Sequence, residues 1–238
     1  MRLVKTDRLY CFSPPVMIAT FVIERVCALY ILFRYHLTPV SRLAVFVLFG
    51  LAIFQLAEYN ICETAWGIDS LSWARVGHVA ITLLPPLGLH LATRIAGQKK
   101  PILITLAYVS AAVFSGIFLF VGPGLTSQQC LGNYVIFDMA PWAIWPYTIY
   151  YYGWLCVTVG YAVKTASQQK QVAIRKALYV LAVGYLTFIL PTTAVNIIDP
   201  STLAGIPSIM CGFAVVLALL LTIGTVPLYY TTIKTPRR

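Results

Sequence analysis

The stretch from Phe54 to His90, FQLAEYNICETAWGIDSLSWARVGHVAITLLPPLGLH, decides the fold. Two apolar arms flank a short polar connection, and neither arm alternates with the period of two that a half-buried strand requires. Each arm extends into an apolar run of about 20 residues, the length of a helix that crosses a bilayer. Polar side chains interrupt them: Gln55, Glu58, Asn60 and Cys62 close the first arm, and Arg75, His78 and His90 punctuate the second.

The same grammar repeats outward. The chain has 238 residues, 60% of them hydrophobic and 10% charged, with a mean hydropathy of +0.83. A water-soluble domain of this size could not hide so much apolar surface, so the expected solvent is lipid. Backbone in lipid must satisfy its own hydrogen bonds, which leaves helices or closed barrels. Barrel strands would be half as long as these runs. The expectation is therefore an all-α integral membrane protein, one domain of seven transmembrane helices at about 14–34, 41–60, 75–95, 101–121, 142–163, 177–196 and 207–229. The apolar run after the basic start MRLVKTDRLY is too long for a signal-peptide core and is expected to be a retained span.

Charge orients the bundle. The first, third and fifth connections carry Arg34 and Arg42, then Arg94, Lys99 and Lys100, then Lys164, Lys170, Arg175 and Lys176, and the tail adds Lys234, Arg237 and Arg238. The alternate connections hold Glu63, Asp69, Asp138 and Asp199. Lys and Arg stay on the cytoplasmic side, which predicts the amino terminus outside and the carboxyl terminus inside a cell (inner) membrane. Arg2, Lys5 and Arg8 run against that assignment, but the summed bias outweighs them. The net charge of +10 follows from topology and contact with anionic headgroups. With no domain outside the spans to carry a basic face, nucleic acid is excluded as a partner.

Ionisable groups inside lipid are functional candidates, each costing about 2.5–3.5 kcal/mol on insertion scales. Glu24 and Arg25 fall in the middle of the first span but point about 100° apart, so each requires a partner on another helix. Gln55 is a third intramembrane polar group. Glu58, Asn60, Arg75, His78 and Asn196 fall at one depth near the outer ends of their helices, and are expected to form a polar cleft for a small ligand or a partner. An interhelical hydrogen-bond network is the alternative. The pairs and singles Pro85-Pro86, Pro191 and Pro227 free backbone carbonyls, as hinges or as acceptors facing a polar cavity. The run PWAIWPYTIYYYGW (Pro141–Trp154) reads as an interfacial aromatic belt. Tyr150, Tyr151 and Tyr152 face three directions, so at least one points inward, where it could wall a site for a planar molecule.

Cys62 and Cys130 both fall in outer connections, where an oxidising compartment permits a disulfide; Cys11 is the competing partner. Cys27, Cys156 and Cys211 read as small apolar fillers. His78 and His90 are about 18 Å apart along one helix, and no HxxxH or HExxH spacing occurs, so no metal site is expected. The last span has no lysine for a Schiff base, and no nucleophile signature occurs. No catalytic residue and no cofactor are expected.

Two segments carry a family resemblance. LAEYNIC followed by WARVGHVAITLLPPLGLH, and IRKALYVLAVGYLTFILPTTAVNII followed by GFAVVLALLLTI, resemble the N-terminal seven-helix sensor region of bacterial and archaeal histidine kinases. The resemblance places Glu58, Trp73, Arg75 and Pro85 at the family's recurrent positions and implies no catalytic residue among them. No kinase or cyclase domain follows TTIKTPRR, so output is expected through a protein partner. The function expected is that of a non-enzymatic membrane receptor or sensor; the alternative is an accessory subunit of a larger membrane complex. An intramembrane enzyme or a transporter ranks below both, because seven spans do not divide into two inverted halves.

Overall fold

A computed structural model describes residues 14–63, 67–121, 124–130 and 135–234, with side chains at all of these except 126–130, 136, 201, 203, 204 and 234. Arg2, Lys5, Arg8, Cys11, Arg237, Arg238 and the Cys130 side chain lie outside the described set. The elements are α1 (Pro14–Arg34), α2 (Pro39–Glu63), α3 (Ser70–Ile95), α4 (Pro101–Phe120), β1 (Leu125–Cys130), β2 (Val135–Met139), α5 (Pro141–Gln168) and α6 (Val172–Ile198). A 3-10 turn (Pro200–Gly205) leads into α7 (Ile206–Leu220), which runs through a π-helical turn (Leu221–Thr225) into α8 (Val226–Lys234). Counting α7 and α8 as one rod, the described residues form seven long helices, and six of them are long and apolar enough to cross a membrane. The exception is α5, whose tyrosines lower its hydropathy while its length exceeds that of α4.

Local chemistry sets the helix ends. Pro101 and Pro141 open α4 and α5, where a missing N–H costs nothing. Asp69 caps α3: its Oδ1 accepts the Ser72 N–H at 2.9 Å and its Oδ2 the Ser72 hydroxyl at 2.6 Å. That cap starts α3 at Ser70, a turn and more before the apolar run begins. The Ser72 hydroxyl and then its backbone N–H hold the Asp69 carboxyl below the usual carboxylate range. The cap is therefore fully formed above the ordinary carboxylate value and is lost as pH falls through the lowered one. At the other end of α3, Gly97 adopts φ 67° while its N–H and that of Gln98 bond Arg94 O and Thr93 O at 3.1 Å, a Schellman stop.

The connection between α4 and α5, expected to be a plain loop, contains an antiparallel hairpin with a bulge between Leu125 and Ser127. Its period-two signal is short: Val135 and Phe137 are buried, and Asp138 between Phe137 and Met139 is half-exposed. The hairpin packs against α2, α3 and α7. It marks one end of the bundle, with Glu63, Asp69 and Asp199, whereas Arg34, Arg42, Arg94, Lys99, Lys100, Lys164, Lys170, Arg175 and Lys176 gather at the other.

The middle of the bundle is α2 and α3. Of the apolar stretch of α3, 72% is buried, against 17% for α4, which lies at the periphery. Helices approach closely where one offers no side chain. A Cβ on Gly88 of α3 would overlap the hydroxyl of Tyr185 on α6, and Tyr185 is itself buried against Phe188. Gly88→Ala should therefore lower stability by about 1–3 kcal/mol, as overpacking does. Thermal melts in detergent check this, and an unchanged melting temperature would mean that α3 and α6 do not meet here.

Candidate functional site

Pro85 and Pro86 stand inside α3 and have no N–H to offer the carbonyls one turn back, those of Ile81 and Thr82. The Tyr150 hydroxyl, from α5, donates to the Thr82 carbonyl. One turn earlier on α5, Tyr147 hydrogen-bonds the Thr82 hydroxyl at 2.9 Å. The rings of Tyr147 and Tyr150 stack at 5.8 Å, Tyr151 lies 5.8 Å from Tyr147, and Phe114 and Phe118 of α4 pack edge-on against Tyr147. Of the three consecutive tyrosines, Tyr150 and Tyr151 are buried and Tyr152 is half-buried. Beside this stack, between α3, α5, α7 and β2, lies a cavity of about 50 Å³ walled by Ile81, Met139, Tyr147, Tyr151, Tyr152 and Met210.

A second polar group gathers around Glu58. Its side chain is 1% exposed, and Oε1 has no hydrogen-bond partner. Ser208, on the first turn of α7, lies in hydrogen-bonding range of the Glu58 carboxyl and accepts the Val135 N–H at 3.1 Å. One hydroxyl thus links α2, α7 and the hairpin. Phe137 of β2 fills the space alongside, 5.7 Å from Phe54 and 4.8 Å from His78. His78 is fully buried; Nδ1–H donates to the Ala74 carbonyl at 3.2 Å, which leaves Nε2 a bare acceptor with no partner. Glu24 is also fully buried, with both carboxyl oxygens unpartnered.

The sequence candidates thus divide. Glu24, Gln55, Glu58, Asn60 and His78 are in the interior, each with at least one polar atom lacking a partner. Asn60 donates from Nδ2 to Leu56 O at 2.7 Å and keeps Oδ1 unbonded. Arg75 is half-buried, and Asn196 accepts the Thr202 hydroxyl at 2.8 Å near the end of α6. Among the described residues no hydrogen bond or ion pair joins either of them to Glu58. Arg25 is on the outside of the bundle, a third of a turn from Glu24. Cys27, Cys156 and Cys211 carry free thiols. His90 meets Tyr108 and Arg94 near the basic end, remote from His78. Among the described residues no three His, Cys, Asp or Glu side chains converge as a metal site.

Sequence reasoning missed Thr82, Phe137, Tyr147 and Ser208. Thr82 alone had a legible signal, because it stands four residues before Pro86 and so bears the freed carbonyl. No protein-family model matches the chain, and no curated protein matches it in sequence.

Two expected outcomes follow from this geometry. Tyr150→Phe should cost about 1–3 kcal/mol by stranding the Thr82 carbonyl. In a Pro86→Ala background, where residue 86 regains its N–H, the same change should cost clearly less, and additive losses in thermal melts would reject the carbonyl's role. Ser208→Ala and Glu58→Gln should couple by about 0.5–3 kcal/mol in a double-mutant cycle. Ser208→Ala should also speed amide hydrogen exchange at Val135.

Proposed function

We propose that the chain is a multi-pass integral membrane protein of receptor or sensor type, with its hairpin end outside and its basic end in the cytoplasm of a cell (inner) membrane. It binds a small planar ligand and performs no reaction. The observation that supports this reading is the tyrosine-walled cavity beside an interior that holds unsatisfied polar atoms. Ligand sites are mostly apolar with a few convergent polar groups, and buried ionisable groups in membrane helices are functional candidates by default. Aromatic faces suit a flat, largely apolar molecule, and the tyrosine hydroxyls suit one polar atom at its edge. The resemblance to histidine-kinase sensor regions agrees, with output passing to a protein partner.

A disulfide from Cys62 to Cys130 would fasten β1 to the end of α2 and hold the hairpin over the cavity. It is supported by β1, which ends at Cys130, packing against α2, whose last turn carries Cys62. Non-reducing peptide mapping should recover that linked pair; a Cys11–Cys62 peptide would reject it.

Indole, used as a planar probe, should raise the melting temperature of the wild type in detergent and leave Ile206→Trp unmoved, because Ile206 also lines the cavity and the new ring fills it from that wall. No shift in the wild type, or an equal shift in the variant, overturns the ligand reading. A reporter active only in the cytoplasm should be active when fused after Arg238; inactivity at full expression would reverse the orientation.

A further inference from the structure

Arg25 sits halfway along α1, eleven residues after Pro14 and nine before Arg34, or about 16 and 14 Å from the two ends. It is exposed, and its guanidinium carbon lies 5.4 Å from the ring centroid of Phe21 and 5.2 Å from that of Phe49 on α2. Two aromatic faces hold the cation in place without neutralising it. The adjacent carboxylate does not help, because Glu24 is turned into the bundle and fully buried. Around Arg25 the outer face of α1 is an apolar ridge of Val22, Val26, Leu29 and Phe33, spaced three to four residues apart and all exposed.

If the chain spans a membrane as proposed above, this arrangement leaves a fixed positive charge at mid-depth in hydrocarbon, farther from either headgroup layer than an arginine side chain can reach. Only a carboxylate at the same depth matches it. Among the described residues a second copy of this chain does not supply one: Glu24 and Glu58 are buried, and Glu63, Asp69, Asp138 and Asp199 lie at or beyond helix ends. We propose that this face of α1 is an assembly surface for a transmembrane helix of a different protein, one that carries an Asp or Glu near the middle of its span and pairs it with Arg25. Phe21 and Phe49 pre-orient the guanidinium, and the valine and leucine ridge packs the partner helix on either side.

The test uses a leucine-rich transmembrane peptide with a single central Glu, and its Gln counterpart, as acceptor-labelled probes. Each is co-reconstituted with donor-labelled full-length protein in zwitterionic vesicles and in vesicles with anionic lipid. The Glu peptide should associate at least tenfold more tightly than the Gln peptide, Arg25→Leu should abolish that preference, and Arg25→Lys should retain part of it. Equal association of the two peptides, or a preference that survives Arg25→Leu, overturns the proposal. So does loss of the preference in anionic vesicles, which would make a lipid headgroup the occupant. Self-association of the protein that depends on Arg25 would make the occupant a second copy and overturn it likewise. Alkaline carbonate extraction separates the two readings: release from the membrane removes the membrane reading and this surface together, whereas retention with indifferent peptides removes the surface alone.

Discussion

The carbonyl of Thr82 is the constraint on which the interior depends. Pro86 deprives it of its helical donor, and away from water an unmet carbonyl must find another. The donor is the hydroxyl of Tyr150, at the tip of a rigid ring, so meeting the carbonyl fixes both the rotation and the height of α5 against α3. Once that rotation is set, Tyr147 falls one turn away, opposite the Thr82 hydroxyl, and Tyr151 and Tyr152 fall on the cavity wall. A proline that weakens one helix thus specifies the placement of another.

The hairpin end obeys a related rule. Sheet backbone brought against a bundle needs partners for its outward N–H groups, and Val135 finds one in the Ser208 hydroxyl. The same hydroxyl lies in hydrogen-bonding range of Glu58, so the carboxyl, the start of α7 and the strand meet at one oxygen. Phe137 then occupies the space between Phe54 and His78, which keeps the imidazole in an aromatic surround. Polar groups here are few and shared, and shared groups make the hairpin and the helix ends respond together.

The helices were legible because length and apolarity suffice to mark them, and the run from 14 to 34 coincides with α1. Where a polar cap lies outside the apolar run, as at Asp69, the helix starts earlier than hydropathy alone indicates. The divergence of Glu24 from Arg25 was legible too, since adjacent helical residues must point apart. What each of them meets was not, because a helix's rotation is decided by neighbours that its own sequence does not name. Glu58, Arg75 and Asn196, expected at one depth, are not joined, for the same reason. The hairpin escaped because its alternation covers only five residues in β2, too few to separate from a loop.

The composition of α5 bears on how such a chain is made. Among the long helices described it alone falls short of the apolarity of a membrane span, and the hydroxyls of Tyr147 and Tyr150 hydrogen-bond Thr82 of α3. In the membrane setting proposed above, this segment, emerging from a ribosome by itself, would partition poorly into hydrocarbon, since its phenols would enter unbonded. There it would depend on helices synthesised earlier to be present and already paired when it arrives. Biosynthesis would then be ordered: α2 and α3 form the platform, and α5 is retained by docking on it rather than by its own greasiness.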